Sequence, residues 1–436
     1  MTGASTAAAA ARKGLRRLGT TAPGYVLALL TALSFFNYLD RMVMAILVEP
    51  IKRDLGLSDT QMGLVSGFAF ALLYAVLGLP LARIADRRSR VALVSMSLAL
   101  WSAMTALTGM ARNFVELFMA RVAVGVGEAG CMPASHSLIG DLFPAQRRAF
   151  AISIFQAGGY LGQSLGLALA GAAAQFWGWR AAVMLAGLLG VPLALIMFFT
   201  VREPPRGEAH RQAAPELLRA TLRALGTTRP YVHIVLGIAV GTFGSYGMAQ
   251  WIPAYFVRLY GLSLTEVGLY SGGTAAFGAV LGTVFGGYIV SRLNRHDVRW
   301  ELWWPMLAFA LFPLLILPSF LVADWKLALG YQLVAFFVGA SGAGPALSAT
   351  QTYVEPHRRA TAVAIILLMA SLLGLGLGPV AVGVISDLLA PRYGIESLRY
   401  ALITTTVIPF WAAVHFWLAA RSSRGLNLHG AVRKFA

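Results

Sequence analysis

The sequence predicts an all-α membrane protein with twelve transmembrane helices in two pseudo-symmetric six-helix bundles. Composition, the distribution of basic residues and an internal repeat support this fold class. Of the 436 residues, 58% are hydrophobic and 12% are charged, and the mean hydropathy is +0.70. A soluble domain of this length needs no such apolar excess for its core. Twelve apolar runs are long enough to cross about 30 Å of hydrocarbon. They start near Gly24, Thr60, Val91, Phe114, Phe150, Ala181, Tyr231, Thr265, Leu302, Leu327, Ala360 and Leu398.

The basic residues predict the orientation of these spans. The net charge is +17, and most of the 35 Lys and Arg residues fall in segments that are cytoplasmic if both termini are cytoplasmic. This is the positive-inside bias, and it requires an even number of spans. The basic excess therefore reflects topology and some attraction to anionic inner-leaflet lipids. A nucleic-acid partner is excluded because there is no soluble basic fold to bind one. We expect a monomer that spans a bacterial inner membrane many times.

An internal repeat indicates how the spans are grouped. GLSDTQMGLVSG from Gly56 aligns without a gap to GLSLTEVGLYSG from Gly261, an offset of 205 residues. Arg147-Arg148-Ala149 recurs from Arg358, an offset of 211 residues. Such a duplication predicts two halves that face each other across a substrate path.

The predicted domains follow from the spans and the repeat. A cytoplasmic tail (1–22) precedes the first bundle (23–201). It reads as a tail and not as a signal peptide, because no cleavage pattern follows it. A cytoplasmic linker (202–229) contains a short amphipathic helix at 215–225. The second bundle (230–420) is followed by a cytoplasmic tail (421–436).

Four charged residues lie inside predicted spans: Asp40 and Arg41 in span 1, and Arg121 and Glu128 in span 4. A charge at membrane depth costs roughly 2.5 to 3.5 kcal/mol on insertion scales, so it needs a polar partner or a function. Arg121 and Glu128 are two helical turns apart and share one helix face. We interpret Asp40 and Glu128 as proton carriers, Arg121 as the charge that senses their protonation, and Arg41 as an anion or gating contact. The alternative is a static network, although buried ion clusters stabilise poorly.

Other polar residues are candidates for lining the substrate path. In span 1, Asn37 belongs to a polar stripe that includes Asp40 and Arg41. The span 5 group among the further candidates could instead form hydrogen bonds that hold helices together. The candidates are Gln156, Tyr160 and Gln163 in span 5, and Tyr246, Gln250 and Trp251 in span 7.

The sequence predicts neither a metal site nor a cofactor. The histidines that fall in or beside the spans are scattered singly and lack the spacing of metal ligands. There is no phosphate-binding loop for ATP, so uphill transport must use an ion gradient, which we take to be protons.

The loop between spans 2 and 3 reads LARIADRRSR and resembles the signature loop of the major facilitator superfamily. It departs from the family pattern at Ala82 and Ser89, where the family mostly has glycine. The resemblance implies that the loop latches the two halves together on the cytoplasmic side. A purely topological role would explain the arginines but not an acid among them. The matching residues are Ile84, Ala85, Asp86, Arg87 and Arg90, of which Asp86, Arg87 and Arg90 form the expected latch.

Further motifs are similar to the Spinster family of lipid transporters. They are NYLDR (37–41), RVAVGVGEA (121–129), WIPAYF (251–256) and GPVAVGVISD (378–387), so the similarity covers both halves. The resemblance implies an amphiphilic anion as substrate, such as a lysophospholipid or a phosphorylated sphingoid base. Spans 8 to 12 hold almost no intramembrane charge, so a path with one polar and one apolar wall would suit such a molecule.

We therefore predict a proton-coupled secondary transporter that works by alternating access in the lipid bilayer. The alternative is a symporter of small organic anions or sugar acids, or a multidrug exporter, that uses the same carboxylates. A membrane enzyme is disfavoured because no nucleophile-base arrangement is visible.

Overall fold

The computed structural model describes residues 20–205, 218–355 and 358–423, and almost all of these residues are helical. The predicted tails therefore lie largely outside the described residues. The helices before the linker are α1 (Pro23–Ile46), α2 (Val48–Leu55), α3 (Asp59–Gly63), α4 (Ala69–Arg87), α5 (Arg90–Thr108), α6 (Phe114–Ala129), α7 (Cys131–Leu142) and α8 (Ala145–Thr200).

The first of the remaining helices begins in the linker. These helices are α9 (Leu218–Thr227), α10 (Arg229–Tyr260), α11 (Leu264–Leu293), α12 (Trp300–Ile316), α13 (Trp325–Ser341), α14 (Ala343–Tyr353), α15 (Arg359–Met369), α16 (Gly378–Tyr393), α17 (Ser397–Thr405) and α18 (Ile408–Ser422). Two π-helical stretches, Leu64–Phe68 and Ala370–Leu377, continue α3 into α4 and α15 into α16. Helix α9 covers the end of the predicted amphipathic segment, whose first residues are not described.

Nine helical stretches in the described part of the chain are long and apolar enough to cross a membrane. Two of them, Phe150–Thr200 and Thr361–Ser422, have 51 and 62 residues and are long enough to cross twice. The first is interrupted at Gly178, which has non-helical backbone angles just before the predicted start of span 6 near Ala181. Predicted span 4 is divided at Gly130 into α6 and α7, each shorter than a full span. The nine stretches are thus consistent with twelve spans.

The two segments that align at the offset of 205 residues form the same local structure. Gly56 ends α2 and Gly261 ends α10, with φ of 65° and 67°, a conformation that glycine adopts without steric cost. The serine two residues later then caps the next helix. Ser58 and Gln61 exchange side-chain and backbone hydrogen bonds, and Ser263 and Glu266 do the same. The repeat is therefore a helix stop followed by a helix start.

The chain forms two compact units. The first comprises Met1–Leu57, Ala69–Ala213 and Ser263–Leu269, and the second comprises Ser58–Phe68, Ala214–Leu262 and Tyr270–Ala436. The segment Ser58–Phe68, which follows the helix stop at Gly56, thus belongs to the second unit. The segment Ser263–Leu269, which follows the helix stop at Gly261, belongs to the first.

In the first unit, α8 packs closely on α1. A Cβ added at Gly162 would lie 2.1 Å from the Phe35 carbonyl oxygen, and one at Gly158 would lie 2.3 Å from that of Thr31. Absent side chains at these positions let the two backbones touch, as is common between membrane helices. This packing holds α1, with its charged residues, in place.

Candidate functional site

Two ion pairs join α1 to α6 inside the first unit. The Arg121 Nη1 donates to Asp40 Oδ2 at 3.1 Å. The Arg41 guanidinium donates to Glu128 Oε2 through Nε at 3.1 Å and through Nη2 at 2.8 Å. Neighbouring residues on α1 thus reach residues two turns apart on α6. The four charges sum to zero, which lowers the cost of holding them at membrane depth.

The two carboxylates differ in how completely they are hydrogen-bonded. Asp40 uses both oxygens, because Thr105 Oγ1 donates to Oδ1 at 2.6 Å while Arg121 holds Oδ2. Glu128 is fully buried, and its Oε1 has no hydrogen-bond partner among the described residues. Only Oε2 of Glu128 is therefore engaged, and Oε1 keeps its lone pairs available for a proton.

Arg41 is the most accessible of the four charges. Its side chain is 16% exposed, whereas those of Arg121, Asp40 and Glu128 are 2%, 5% and 0% exposed. Three aromatic rings surround the guanidinium, whose central carbon lies 5.4, 4.9 and 5.1 Å from the ring centroids of Tyr38, Phe70 and Tyr74. These distances are within the range of cation–π attraction. Arg41 therefore has a fixed position and an open side.

Glycine at 125 explains how α4 supplies two of these rings. A Cβ at Gly125 would lie 2.3 Å from the Phe70 carbonyl oxygen, so α4 can touch α6 only because this residue is glycine. Sequence reasoning missed Thr105, Phe70 and Tyr74. A lone threonine or aromatic residue in an apolar span carries no signal of its own, and Tyr38 lay unrecognised within NYLDR.

The other predicted path residues of the first unit fall into two groups. Asn37 is fully buried, and both of its amide atoms lack hydrogen-bond partners among the described residues, as does Ser34 Oγ. Gln156, Tyr160 and Gln163 lie exposed along one side of α8. These three do not contact the ion pairs through any described hydrogen bond.

Three predicted path residues lie in the second unit. Tyr246 is exposed, and Gln250 is buried with its Nε2 unpartnered among the described residues. Trp251 is fully buried, and its indole N–H donates to the Pro379 carbonyl at 2.9 Å. Trp251 thus packs α10 against α16, while Gln250 has a free polar group.

The signature loop is described only in part, because the side chains of Asp86 and Arg87 lie outside the described set. Arg90 opens α5 and is 1% exposed. Its guanidinium donates to Asp141, to Glu203 Oε1 at 2.7 Å and to Ser137 Oγ at 3.1 Å. Arg90 therefore ties the start of α5 to α7 and to the segment after α8.

A matching cluster occupies the same repeat positions in the second unit. At the offset of 211 residues, Arg90, Ser137 and Asp141 correspond to Glu301, Ser348 and Thr352. Glu301 is 5% exposed and accepts hydrogen bonds from Ser348 at 2.7 Å, from Thr352 at 2.6 Å and from Asn294 at 3.1 Å. An acid held by neutral donors thus replaces the arginine of the first cluster.

Within the described residues there is no group of three or more His, Cys, Asp and Glu side chains that could hold a metal ion. His233 and His415, distant in sequence, do meet, with their Nδ1 atoms 3.2 Å apart.

Most of this chain is similar in sequence to known proteins. The family model described as Major Facilitator Superfamily matches residues 30–379. An MFS-type efflux pump of Mycolicibacterium smegmatis is 35% identical over 89% of this chain and 90% of its own length. Human protein spinster homolog 1 is 30% identical over 86% of this chain and 76% of its own length. The sphingosine-1-phosphate transporter SPNS2 of Danio rerio is 30% identical over 84% and 78%.

The fold is also similar to solved structures. The crystal structure of a bacterial homolog of the human lysosomal transporter Spinster, inward-facing and unoccupied, superimposes with a TM-score of 0.84. That chain is 28% identical, and the match covers 92% of this chain and 97% of the other. The resemblance predicted from the span 1 and span 4 motifs is therefore confirmed, and so is the predicted helical membrane fold.

Proposed function

Because the chain belongs to the Major Facilitator Superfamily, whose members are transporters and not enzymes, we propose that it is a proton-coupled secondary transporter of an amphiphilic anion. The observation that supports this proposal best is the Arg41–Glu128 pair, in which the carboxylate has one free oxygen and the arginine has one open side.

Protonation of Glu128 releases Arg41. A proton on Oε1 neutralises the carboxylate and weakens its two hydrogen bonds to the guanidinium, since the Coulomb attraction between the opposite charges is lost. The freed cation then needs a new anion, because an unpaired charge at membrane depth is costly. Substrate phosphate or carboxylate supplies that anion. By linkage, each ligand strengthens the binding of the other.

Asp40 and Arg121 form the second half of the mechanism. Arg121 Nε is buried and unpartnered among the described residues, so this arginine has a donor to spare. When Arg41 leaves Glu128, the charge balance around Arg121 changes too, because Arg121 and Glu128 share one face of α6. Arg121 is thereby the sensor, and Asp40, fixed by Thr105, is the less exchangeable carboxylate.

The aromatic rings beside Arg41 favour an amphiphile over a small acid. Tyr38 and Tyr74, both partly exposed, place ring surface next to Arg41, the most accessible of the four charges, so a headgroup and the start of a chain can be bound together. The relative named as a sphingosine-1-phosphate transporter supports this substrate class. Alternating access between the two halves, cytoplasmic termini and a bacterial inner membrane complete the proposal.

Drug export is the second candidate, because the mycobacterial relative is named an efflux pump. The two candidates predict opposite coupling. An anion binds with the proton, so the two move in the same direction. A cationic drug would instead bind to deprotonated Glu128, so proton and drug would compete and exchange. A probable L-galactonate transporter of Escherichia coli, 28% identical over 64% of this chain, keeps small sugar acids in the comparison.

The test uses proteoliposomes that contain a pH-sensitive dye. We expect a lysophospholipid or sphingosine-1-phosphate to drive proton movement in its own direction, and gluconate to drive none. Ethidium-driven proton movement in the opposite direction would establish the second candidate instead.

Variants then test the site. Glu128→Gln and Asp40→Asn should abolish substrate-driven proton flux. Glu116→Gln is the matched control, because Glu116 lies on the same helix but is exposed and only holds the helix start. Unchanged flux in both site variants would refute the assignment of the proton carriers.

A further inference from the structure

Asp59 lies at the start of α3 and forms a buried ion pair within the second unit. It is 2% exposed, and Arg258 donates to both of its oxygens at 2.9 Å. Ser386 Oγ donates to Oδ2 at 2.6 Å. This bidentate geometry is the strongest form of an arginine–carboxylate pair.

Asp387, next to Ser386 on α16, binds the same helix start. Its two oxygens accept hydrogen bonds from the backbone N–H groups of Asp59 and Thr60 at 3.0 and 2.7 Å. A carboxylate at this position satisfies free N–H groups and complements the helix dipole. The N-terminal end of α3 is thus held both through the Asp59 side chain and through the backbone N–H groups of Asp59 and Thr60.

Close packing continues below the ion pair. A Cβ at Gly383 would lie 2.4 Å from the Asp59 carbonyl oxygen, and one at Gly63 would lie 2.6 Å from that of Pro379. The helices on both sides of this contact become π-helical at Leu64–Phe68 and Ala370–Leu377. Such π-helical turns are frequent at functional sites.

The corresponding segment of the other repeat forms no ion pair with any residue that the structure describes. Leu264 replaces Asp59 at the offset of 205 residues, and its backbone N–H donates to Gln175 Oε1 at 3.3 Å within the first unit. Gly171 again allows close packing, since a Cβ there would lie 2.3 Å from the Leu264 carbonyl oxygen. The repeat thus supplies two similar contacts, one ionic and one neutral.

We propose that Asp59, Arg258 and Asp387 form an ionic lock that opens and re-forms in every transport cycle. The segment Ser58–Phe68 belongs to the first repeat but is bound by helices of the second, so this contact breaks in any rocking motion that carries the segment with the rest of its own repeat. If the termini are cytoplasmic, the lock lies at the outer end. The proposal rests on alternating access but on neither the coupling ion nor the substrate.

The charges suit a lock that must release. A buried ion pair adds little net stability, because both groups regain hydration when they separate. Its geometry is nevertheless specific, so the closed position is well defined. Apolar side chains at the same place would also hold the segment, but they would gain no favourable hydration when the contact opens.

A single reporter cysteine tests the lock in cells. Cys131, which is buried and the sole cysteine of the sequence, is replaced by serine. Ser66, 6% exposed within the locked segment, is replaced by cysteine. The labelling rate with a membrane-impermeant maleimide, added outside without substrate or proton gradient, then reports release of the segment.

We expect Asp59→Asn and Arg258→Gln to raise the labelling rate tenfold or more, and Arg258→Lys to give an intermediate rate because it keeps the charge but loses the bidentate fork. Gly383→Ala should also raise it, without any change of charge. Asp54→Asn is the matched control: Asp54 pairs with Arg180, but both side chains are more than 40% exposed. Its rate should stay within twofold of the parent.

Expression level and size-exclusion profile show whether each variant is folded. If Asp59→Asn and Arg258→Gln do not fold, the labelling rates of Arg258→Lys and Gly383→Ala test the proposal. Labelling within twofold of the parent in all folded lock variants would overturn the proposal. The lock variants can change the labelling rate even if the liposomes show no substrate-driven proton flux. Proton flux can likewise be observed even if the lock variants leave the labelling rate unchanged, so the two tests are independent.

Discussion

Replacing Arg41 by methionine removes the partner of Glu128 and keeps a long, unbranched side chain in its place. Glu128 is 0% exposed and has Arg41 as its one described ion-pair partner, so the variant leaves an uncompensated buried carboxylate. Breaking a buried pair in this way costs about 3 to 5 kcal/mol. At roughly 2 °C per kcal/mol, the melting temperature should fall by about 6 to 10 °C.

The double variant Arg41→Met with Glu128→Gln removes both charges and should cost less than Arg41→Met alone. Each single change leaves one charge without its partner, so the two effects are not additive. The sign of the pH dependence follows from proton binding. Glu128 in the Arg41→Met protein folds best with a proton bound, which the unfolded chain does not carry at neutral pH. Its stability deficit must therefore grow as the pH rises from 5 to 8.

The assay is thermal unfolding of the purified protein in detergent, followed by tryptophan fluorescence at pH 5 and pH 8. Glu116→Gln on the same helix gives the background effect of losing an exposed acid. A double variant no more stable than Arg41→Met, or a deficit that is equal at both pH values, would refute the buried ion pair as the source of the effect.

Three further predictions concern other parts of the molecule. Gly162→Ala should lower the yield of folded protein, because its Cβ would lie 2.1 Å from a backbone oxygen, whereas Gly140→Ala, with open space around it, should not. The hydrogen bond from Arg180, with one from the Trp179 indole, lowers the pKa of Asp54. Asp54→Asn should therefore lower the melting temperature slightly at pH 7 in low salt. The difference should vanish as the pH falls through that lowered pKa, and also at roughly 1 M salt, because the pair is exposed. Glu301→Arg and Thr352→Asp should each destabilise the protein, and the double variant should recover part of the loss; no recovery in thermal unfolding would contradict the repeat correspondence.

Much of the fold could be predicted because the membrane restricts the choices. Long apolar runs must be helices, and the chain offers few breaks between them. The repeat was visible in the sequence because Gly56 and Gly261 each end a helix, and Ser58 and Ser263 each cap the next one. Helix interruptions were harder to see. The division of span 4 at Gly130 and the two π-helical stretches depend on packing that no local pattern reports.

The site could be predicted only in its charges. Asp40, Arg41, Arg121 and Glu128 stand out because charge inside a span is costly. Their pairing could not be derived, since Asp40 could have bound either arginine, and the choice depends on how α1 is rotated against α6. The Thr105 hydroxyl carries no signal in the sequence, but in the structure it donates the hydrogen bond that occupies the second oxygen of Asp40. Uncharged partners of a buried charge are found only once the helices are packed.

The clusters around Arg90 and Glu301 show what a duplicated backbone does and does not determine. Both residues lie in the first turn of a helix, both are almost fully buried, and both face a serine at the same repeat position. The backbone therefore provides a buried polar position twice. Burial requires that the group there be hydrogen-bonded, but not that it have a particular sign. Arginine in the first repeat needs the acids Asp141 and Glu203, while glutamate in the second is satisfied by hydroxyl and amide donors. In formal charges, Arg90 with Asp141 and Glu203 sums to −1, and Glu301 with its neutral donors also carries −1. The repeat thus keeps the net charge of this buried position while the sign of the residue there is reversed.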